Sequence, residues 1–158
     1  MSDKPVVGLL HPGEMGSAIG ATLVASGTRV LWASAGRGAQ TRERAAGLGL
    51  DDAGSVEAIV KQAGTIVSVA PPHAALDVAR EIAGFRFRGI FVDANAIATE
   101  TTLTIKRLIE DAGGRFVDGG IIGPANRKPG AARIYLAGTE AGTVKPWIIE
   151  ARTARYIA

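Results

Sequence analysis

The stretch VGLLHPGEMGSAIG, residues 7–20, constrains the fold of this chain more than any other. A short apolar segment, Val6–Leu10, ends at a His-Pro-Gly turn, and apolar residues then recur at helical spacing over Glu14–Ser26. A buried strand that turns directly into a helix is the unit from which parallel α/β sheets are built. The opening of the chain therefore predicts a strand–turn–helix unit with a very tight junction.

Strand-like and helix-like patterns alternate along the rest of the chain. The predicted strands are Val6–Leu10, Arg29–Ala33, Thr65–Ala70, Gly89–Asp93, Arg115–Val117 and Ala131–Ala137. The predicted helices are Glu14–Ser26, Ala39–Gly47, Ser55–Gln62, His73–Ala83, Thr99–Ala112 and Thr143–Ala151, followed by an extended end at Arg155–Ile157. Largely apolar strands are typical of parallel sheets that helices cover on both faces. The chain, residues 1–158, is therefore predicted to be a single α/β domain with a Rossmann-like, doubly wound, mostly parallel sheet.

Local signals place three further features within these elements. Ser55 is predicted to be the N-cap of the third helix. Pro146 is placed in the first turn of the last helix, where its missing N–H costs little. Leu103, Leu108 and Ile109 mark the apolar face of the fifth helix.

Composition narrows the class of protein. Hydrophobic residues make up 47% of the chain but aromatic residues only 5%, so the core is expected to consist mainly of Ala, Val, Ile and Leu. The chain has no cysteine, which excludes disulfides and thiolate chemistry. Two histidines, His11 and His73, are too few for a histidine metal cluster, and no metal site is predicted.

The charge and hydropathy patterns bear on partners and location. The net charge is +3, and the basic residues are scattered, whereas nucleic-acid binders concentrate them on one face. No apolar run approaches the roughly 18 residues of a membrane span. The first residues lack the basic start and apolar stretch of a signal peptide. We therefore expect a cytoplasmic protein without a nucleic-acid or membrane partner.

The first turn has the glycine spacing of a phosphate-binding site. Gly13 and Gly16 occupy the second and third glycine positions of G-x-G-x-x-G, and His11 occupies the first. Gly13 is expected to let a diphosphate approach the backbone, and Gly16 to let the helix lie close to the sheet. The first glycine is dispensable if the backbone φ at His11 stays negative. A plain tight turn without a ligand is the alternative.

Other groups of this turn are expected to help hold a phosphate. The N–H groups of Glu14 and Met15 fall at the start of the helix, where unpaired amides and the helix dipole favour an anion. Pro12 fixes its own φ near −65° and so stiffens the turn. His11 either donates to a cofactor phosphate or only ends the strand.

Five stretches together resemble the β-hydroxyacid dehydrogenase superfamily, which includes 3-hydroxyisobutyrate dehydrogenase, 6-phosphogluconate dehydrogenase and the imine reductases. GLLHPGEMG resembles the family's G-x-I-G-x-G-x-M-G opening, including its Met-Gly pair. The other four follow in the family's order: IVSVAPPHAALDVA, IFVDANAIATET, FVDGGIIGPA and VKPWIIEARTARYIA. The resemblance covers nearly the whole chain and implies the nicotinamide dinucleotide-binding domain of an oxidoreductase that acts on a small molecule.

The segment after the second strand bears on the choice of cofactor. It reads WASAGR, without the carboxylate that bonds the ribose 2′-OH in NAD-selective sites. Ser34 offers a hydroxyl and Arg37 a guanidinium suited to a phosphate, with Arg42 or Arg44 as helpers. This pattern favours NADP over NAD. In the alternative, Arg37 is a solvated loop residue. Trp32 is expected in the core and not against adenine.

Two later strand ends are expected to complete the cofactor site. Ala70, Pro71 and Pro72 follow one strand and Asn95 follows the next, and ligands of open α/β sheets lie outside the carboxyl ends of the strands. Asp93 is expected to be structural, bonding nearby backbone N–H groups. His73 is expected to cap the following helix, and a catalytic role for it is disfavoured.

The resemblance assigns the substrate segment to Gly120, Ile121, Ile122 and Gly123. Related enzymes have Asp-Ala-Pro-Val-Ser-Gly-Gly here, with the serine and glycines against the substrate carboxylate. This chain has Ile122 at the serine position and Pro124 at the second glycine, which points to a less polar substrate. The run Asn126-Arg127-Lys128 either supplies an anion contact or is a solvated loop.

The family's proton-transferring lysine is expected beyond Ala158, in an all-helical domain that this chain lacks. Lys145 does not match its context, so no catalytic residue is predicted within the chain. The resemblance therefore implies a domain that is inactive alone and transfers hydride between nicotinamide and a hydroxyl, carbonyl or imine carbon in a larger enzyme. A stand-alone dinucleotide-binding or sensor module is the alternative. Apolar surface left uncovered near the last strand favours a homodimer.

Overall fold

The computed structural model describes residues 5–125 and 133–149 of the 158-residue chain. Seven strands are present in these ranges: β1 (Val6–Leu10), β2 (Arg29–Trp32), β3 (Asp51–Asp52), β4 (Thr65–Ser68), β5 (Ile90–Asp93), β6 (Arg115–Ile122) and β7 (Arg133–Ala137). The six α-helices are α1 (Glu14–Ala25), α2 (Ala39–Leu48), α3 (Val56–Gln62), α4 (Ala75–Gly84), α5 (Thr99–Asp111) and α6 (Ala141–Ile149). A short 3₁₀ turn, Pro72–Ala74, precedes α4.

The strands form one sheet in the order β3-β2-β1-β4-β5-β6-β7. All neighbours pair in parallel except β6 and β7, which are antiparallel. The order runs outward from β1 in one direction and from β4 in the other. The boundary between β1 and β4 is therefore the topological switch point, where open α/β sheets bind ligands. This confirms the predicted Rossmann-like, mostly parallel sheet.

Helices bury both faces of the sheet. On one face, α1, α2 and α6 cover a core that includes Leu9, Leu23 and Trp32. On the other face, α3, α4 and α5 cover a core that includes Ile66 and Phe91. Trp32 is 4% exposed, so its predicted place in the core is confirmed. The Oγ of Ser55 accepts a bond from the Ala58 N–H at 3.2 Å, which confirms the predicted cap of α3.

Several local predictions were wrong. The two-residue strand β3 was missed because two aspartates give no apolar signal. Strand β6 continues to Ile122 because β7 pairs with its Gly-Gly-Ile-Ile end, whereas the sequence favoured an end at Val117. The last helix starts earlier, at Ala141, so Pro146 lies inside it and not in its first turn. Leu103 is 47% exposed and not on the buried face of α5. The extended end predicted at 155–157 lies outside the described residues.

Candidate functional site

Two turns face each other across the switch point between β1 and β4. The turn after β1 brings His11 and Gly13, and the segment after β4 brings Ala70 and Pro71. Together with residues of α1 and of the loop after β2, they enclose an open hollow of about 400 Å³. Its lining residues are His11, Gly13, Glu14, Met15, Gly16, Arg37, Thr41, Val69, Ala70 and Pro71. Most of the residues assigned to the cofactor from sequence therefore meet in one place.

The backbone of the first turn is held by its own hydrogen bonds. The Gly13 N–H donates to the carbonyl oxygen of His11 at 2.7 Å, an i to i+2 bond that closes a γ-turn around Pro12. The Ser17 hydroxyl donates to the carbonyl oxygen of Pro12 at 3.1 Å. Pro12 is buried under this turn and does not line the hollow. Pro12 therefore acts on the site by shaping its backbone.

His11 has a φ of +65°, so the condition of a negative φ, under which the first glycine would be dispensable, is not met. The turn keeps the left-handed backbone that a glycine would adopt freely. Histidine is among the residues that enter this region several-fold more often than most. The conformation still costs of order 1–2 kcal/mol for a side chain with a Cβ. The replacement of the first glycine therefore stores strain in the turn.

Gly13 and Gly16 differ in what the protein itself requires. A Cβ at position 16 would overlap the carbonyl oxygen of His11 and lie 3.8 Å from the Cβ of Val69. Gly16 is therefore needed for α1 to pack on the turn. Gly13 has φ −73°, which any residue adopts, and a Cβ there would meet only the His11 carbonyl oxygen, at 4.0 Å. Neither the backbone nor the packing of the described chain demands a glycine at position 13.

The amino end of α1 presents free amides to the hollow. The first intrahelical bond is donated by the Ser17 N–H to the carbonyl oxygen of Gly13, at 2.8 Å. The N–H groups of Glu14, Met15 and Gly16 precede this bond, and helix geometry gives such amides no partner inside the helix. Gly13, the N-cap, offers no side chain to satisfy them. The site therefore carries the donors and the dipole end that bind phosphates.

His11 is partly buried beside Arg37. Burial lowers the pKa of the His11 imidazole to about 4, with a further contribution from the positive charge of Arg37. Its Nδ1 atom is buried and has no hydrogen-bond partner among the described residues. The imidazole is therefore neutral near pH 7 and holds an unsatisfied polar atom next to the hollow.

The loop after β2 is anchored from two sides. Arg42 donates from Nη2 to the carbonyl oxygen of Ser34 at 2.9 Å and from Nε to that of Arg37 at 3.1 Å. Asp52, at the end of β3, accepts from the N–H groups of Ser34 at 3.2 Å and Gly54 at 2.8 Å. A bond from the Ser34 hydroxyl is the main reason that the pKa of Asp52 is lowered. This anchoring leaves the partly buried Arg37 side chain against the hollow.

Asp52 is the residue that sequence reasoning missed. The cofactor motif places an acidic residue at the end of the second strand, whereas Asp52 reaches the same loop from the neighbouring strand. Only the pairing of β2 with β3 brings them together. Ser34 is buried at 8% exposure and bonds Asp52, so it does not line the hollow. Arg44 does not line it either.

A second hollow adjoins the first along the sheet edge and shares Met15, Val69 and Ala70 with it. It is lined by Met15, Val69, Ala70, Pro72, Ala94, Asn95, Ala96, Gly120 and Ile121. Pro72, Asn95, Gly120 and Ile121 thus line a hollow next to the first one. Its lining is apolar except for the amide of Asn95.

Asn95 ties two strand ends together. Its Oδ1 accepts from the Ala70 N–H at 2.6 Å, and its Nδ2 donates to Ser68 Oγ at 3.2 Å. Its own N–H donates to Asp93 Oδ1 at 3.0 Å, which confirms the structural role expected for Asp93. The Asn95 amide is therefore largely committed to the protein and sets the position of the Ala70-Pro71-Pro72 segment.

Asp93 is nearly inaccessible, at 2% exposure, and its Oδ2 has no partner among the described residues. Burial raises the pKa of Asp93 to about 6, and the neighbouring Asp118 adds to this. Asp118 pairs with Asp93 across β5 and β6, and burial raises the pKa of Asp118 as well. Two carboxyls thus lie side by side on β5 and β6, directly before Ala94 and Asn95 of the second hollow.

Comparison with known protein families identifies one whose description agrees with this architecture. The family described as the NAD binding domain of 6-phosphogluconate dehydrogenase aligns with residues 6–147. The chain belongs to this family. It is an oxidoreductase family of nicotinamide dinucleotide-binding domains, which agrees with the resemblance inferred from the sequence motifs.

Individual proteins that are similar to this chain extend the comparison. An uncharacterized 28.5 kDa protein of Methanothermus fervidus is 34% identical over 93 residues, which are 59% of this chain and 36% of that protein. A conserved protein of unknown function, described as structurally similar to 3-hydroxyacid dehydrogenases, is 29% identical with a TM-score of 0.83, over 97% of this chain and 57% of its own.

More distant structures share the fold. Mycobacterium tuberculosis 3-hydroxyisobutyrate dehydrogenase is 19% identical with a TM-score of 0.78, over 98% of this chain and 54% of its own. An imine reductase variant of Myxococcus stipitatus is 17% identical with a TM-score of 0.79, over 98% of this chain and 55% of its own. This chain therefore spans little more than half the length of these proteins.

The segment that the family resemblance assigned to substrate lies at the far end of β6. Ile121 packs partly against the core, whereas Ile122 is 62% exposed and lines neither hollow. Gly123 follows with a φ of +132°. The run Asn126-Arg127-Lys128 lies outside the described residues.

Other features of the described ranges concern His73, membrane-spanning helices and metal sites. His73 is exposed in the 3₁₀ turn, and the N-cap of α4 is Ala74, so the expected cap by His73 was wrong. No helix in the described part of the chain has both the length and the apolar character to cross a bilayer. Within the same residues, no cluster of three or more His, Cys, Asp or Glu side chains is placed to hold a metal ion.

Proposed function

We propose that this chain is the NADP-binding domain of an oxidoreductase that transfers hydride between nicotinamide and a hydroxyl, carbonyl or imine carbon. Gly13 carries the proposal. It lies at the mouth of the hollow, at the amino end of α1, and a side chain there would meet open space and not protein. A glycine that the fold does not need, placed above free amides, is explained by a ligand that must approach the backbone.

The residues of the site suit the successive parts of a dinucleotide. The amides of Glu14 and Met15, with His11 beside them, suit the diphosphate. Arg37 lies toward the adenosine end of such a ligand, and Ser34 holds the same loop in place through its bonds to Asp52. The Ala70-Pro71-Pro72 segment and Asn95 face the nicotinamide end, and the stretch from Gly120 to Gly123 lies beyond it, toward a substrate. When bound, the cofactor would supply the hydride donor or acceptor, and the protein would hold and orient it.

Preference for NADP is supported by the roles of two charged residues. Arg37 lines the hollow, and its guanidinium suits a 2′-phosphate. Asp52 is the acidic residue nearest the loop, but its carboxylate is bonded by the N–H groups of Ser34 and Gly54. A carboxylate that accepts two backbone N–H bonds anchors the loop, and this structural role supports NADP over selection of the 2′-OH of NAD by Asp52.

Calorimetric titration with NADP⁺ and NAD⁺ tests this proposal. We expect Arg37→Ala to weaken NADP⁺ binding by about tenfold or more, the loss of a charged hydrogen bond of roughly 1.5–3 kcal/mol, with little change for NAD⁺. Arg80→Ala is the matched control, since Arg80 is an exposed residue of α4 paired with Asp77. Equal affinities for both cofactors, unchanged by Arg37→Ala, would contradict the NADP preference. Failure of both cofactors to bind would contradict the function itself.

The remaining parts of the proposal concern the whole protein. The proton-transferring group would come from an all-helical domain outside this chain, so we expect the 158-residue chain to be inactive alone. We also expect the chain to associate as a homodimer and to work in the cytoplasm. Hydride transfer by this chain without a partner domain would contradict that division. Tight NADP⁺ binding by a natural protein of this length would instead favour the stand-alone binding or sensor module.

A further inference from the structure

His11 lies between the two places where a bound dinucleotide would carry negative charge. Its carbonyl oxygen closes the turn at the amino end of α1, where the proposed function puts the diphosphate. Its side chain lies close enough to Arg37, where the proposed function puts the 2′-phosphate, for their charges to interact. Both residues line the same hollow. An imidazole in this position senses the charge state of the cofactor site.

Two of the elements that form the hollow bring a charged side chain to it. Glu14 comes from the first turn of α1, and Arg37 comes from the loop after β2. Thr41 of α2 and the residues Val69, Ala70 and Pro71 of the segment after β4 carry no charge. In the free protein, burial and Arg37 both act against a charged imidazole. The neutral ring also leaves its buried Nδ1 unpartnered among the described residues.

We propose that His11 takes up one proton from solvent when the dinucleotide binds, and that the resulting imidazolium lies against the cofactor phosphates. The inference rests on the proposed function, because it needs a phosphate-bearing ligand in this hollow. The proton adds to the ring nitrogen that carries none in the neutral form, and no other bond changes. The anionic ligand reverses the local field, since it neutralises Arg37 and places negative charge beside the ring.

The size of the effect follows from the shift that a nearby opposite charge produces. An opposite charge within a few ångströms shifts a pKa by about 1–3 units. If the pKa of His11 rises from about 4 by about two units on binding, dinucleotide affinity is about tenfold higher at pH 5 than at pH 8. At pH 6, about half a proton is taken up per bound molecule under the same assumption.

Calorimetry of NADP⁺ binding at pH 6, in two buffers of different ionisation enthalpy, counts the protons directly. His11→Asn is the test variant, because asparagine tolerates a positive φ and does not titrate. His73→Asn is the matched control, since His73 is the chain's other histidine and is exposed outside the hollow. The 2′-phosphate of NADP⁺ loses its second proton near pH 6, and Asp93 also titrates near pH 6. Both groups contribute equally to the proton counts of all three proteins, so they cancel when the counts are compared.

We expect the wild type and His73→Asn to take up about half a proton more than His11→Asn. Equal proton counts in the wild type and His11→Asn would overturn the inference while leaving the proposed function intact. Absence of NADP⁺ binding to the wild type would overturn both. If His11→Asn does not fold, His11→Gly serves instead, because glycine adopts the observed backbone without strain.

Site-specific titration by NMR provides a second measurement, made on the wild-type protein, that does not depend on replacing His11. The chain has two histidines, so the ring Cε1–H signals of His11 and His73 are separable by assignment with His73→Asn. We expect the His11 signal to titrate at higher pH in the NADP⁺-saturated protein than in the free protein. A His11 midpoint that stays fixed or falls on saturation would refute proton uptake at this residue.

Discussion

Replacing Gly13 by alanine is expected to separate ligand binding from stability. In the described structure a Cβ at this position meets only the His11 carbonyl oxygen at 4.0 Å, and the φ of −73° suits alanine. Alanine is a poorer N-cap than glycine by about 1 kcal/mol. It also lowers the entropy of the unfolded chain, which stabilises the fold by about 0.4–1 kcal/mol. The two effects nearly cancel, so the free energy of unfolding should change by less than about 0.5 kcal/mol.

The same methyl group should block the ligand. It would project into the mouth of the hollow, above the amides of Glu14 and Met15, where a diphosphate must come close to the backbone. We expect Gly13→Ala to weaken NADP⁺ binding by about tenfold or more, which corresponds to about 1.4 kcal/mol or more. Urea unfolding of the free protein and calorimetric titration with NADP⁺ measure the two quantities separately.

Gly16→Ala is the matched control, one helical turn away. Its Cβ would overlap the carbonyl oxygen of His11, which belongs to the backbone and cannot rotate away. We expect a loss of about 1–3 kcal/mol in the free energy of unfolding, and a melting temperature lower by about 2–4 °C for each kcal/mol. Wild-type NADP⁺ affinity in Gly13→Ala would refute the ligand argument. Destabilisation of Gly13→Ala comparable to that of Gly16→Ala would show that the fold itself needs this glycine.

Two further predictions concern titration and backbone strain. The pKa of Asp93 is raised to about 6, so stabilisation by its bound proton is complete below pH 3.8, its ordinary pKa, and is lost as the pH rises through about 6. Urea unfolding should therefore show Asp93→Asn more stable than the wild type at pH 8 by at most about 3 kcal/mol, with little difference at pH 3; equal stability at pH 8 would argue against an ionised buried carboxyl. Arg86 is exposed with φ +53° after α4, so thermal unfolding should show Arg86→Gly more stable by about 0.5–1 kcal/mol. Gly49→Ala, at φ +71° after α2, should lower the free energy of unfolding by about 1 kcal/mol. If Arg86→Gly and Gly49→Ala changed stability in the same direction, the strain argument would be contradicted.

Features that depend on neighbours in sequence could be predicted without the structure. Alternating apolar strands and amphipathic helices predicted a doubly wound sheet, because parallel strands must be buried on both faces. The Gly13–Gly16 spacing directly after a strand predicted a tight strand-to-helix turn with unpaired amides, because helix geometry leaves the first amides without partners. Ser55 was recognised as a cap for the same local reason. These inferences needed only periodicity and the conformational preferences of single residues.

Tertiary pairing decided the rest. The sequence contains Ser34 and Asp52 but does not show that they meet, because their contact depends on β2 pairing with β3. The length of β6 was decided by β7, which supplies hydrogen-bond partners to a glycine-rich segment with weak strand propensity of its own. The positive φ of His11 is imposed by the junction of β1 with α1, whose packing through Gly16 outweighs the local cost of the left-handed backbone. Burial beside Arg37 then makes that histidine neutral, a property that no local pattern encodes.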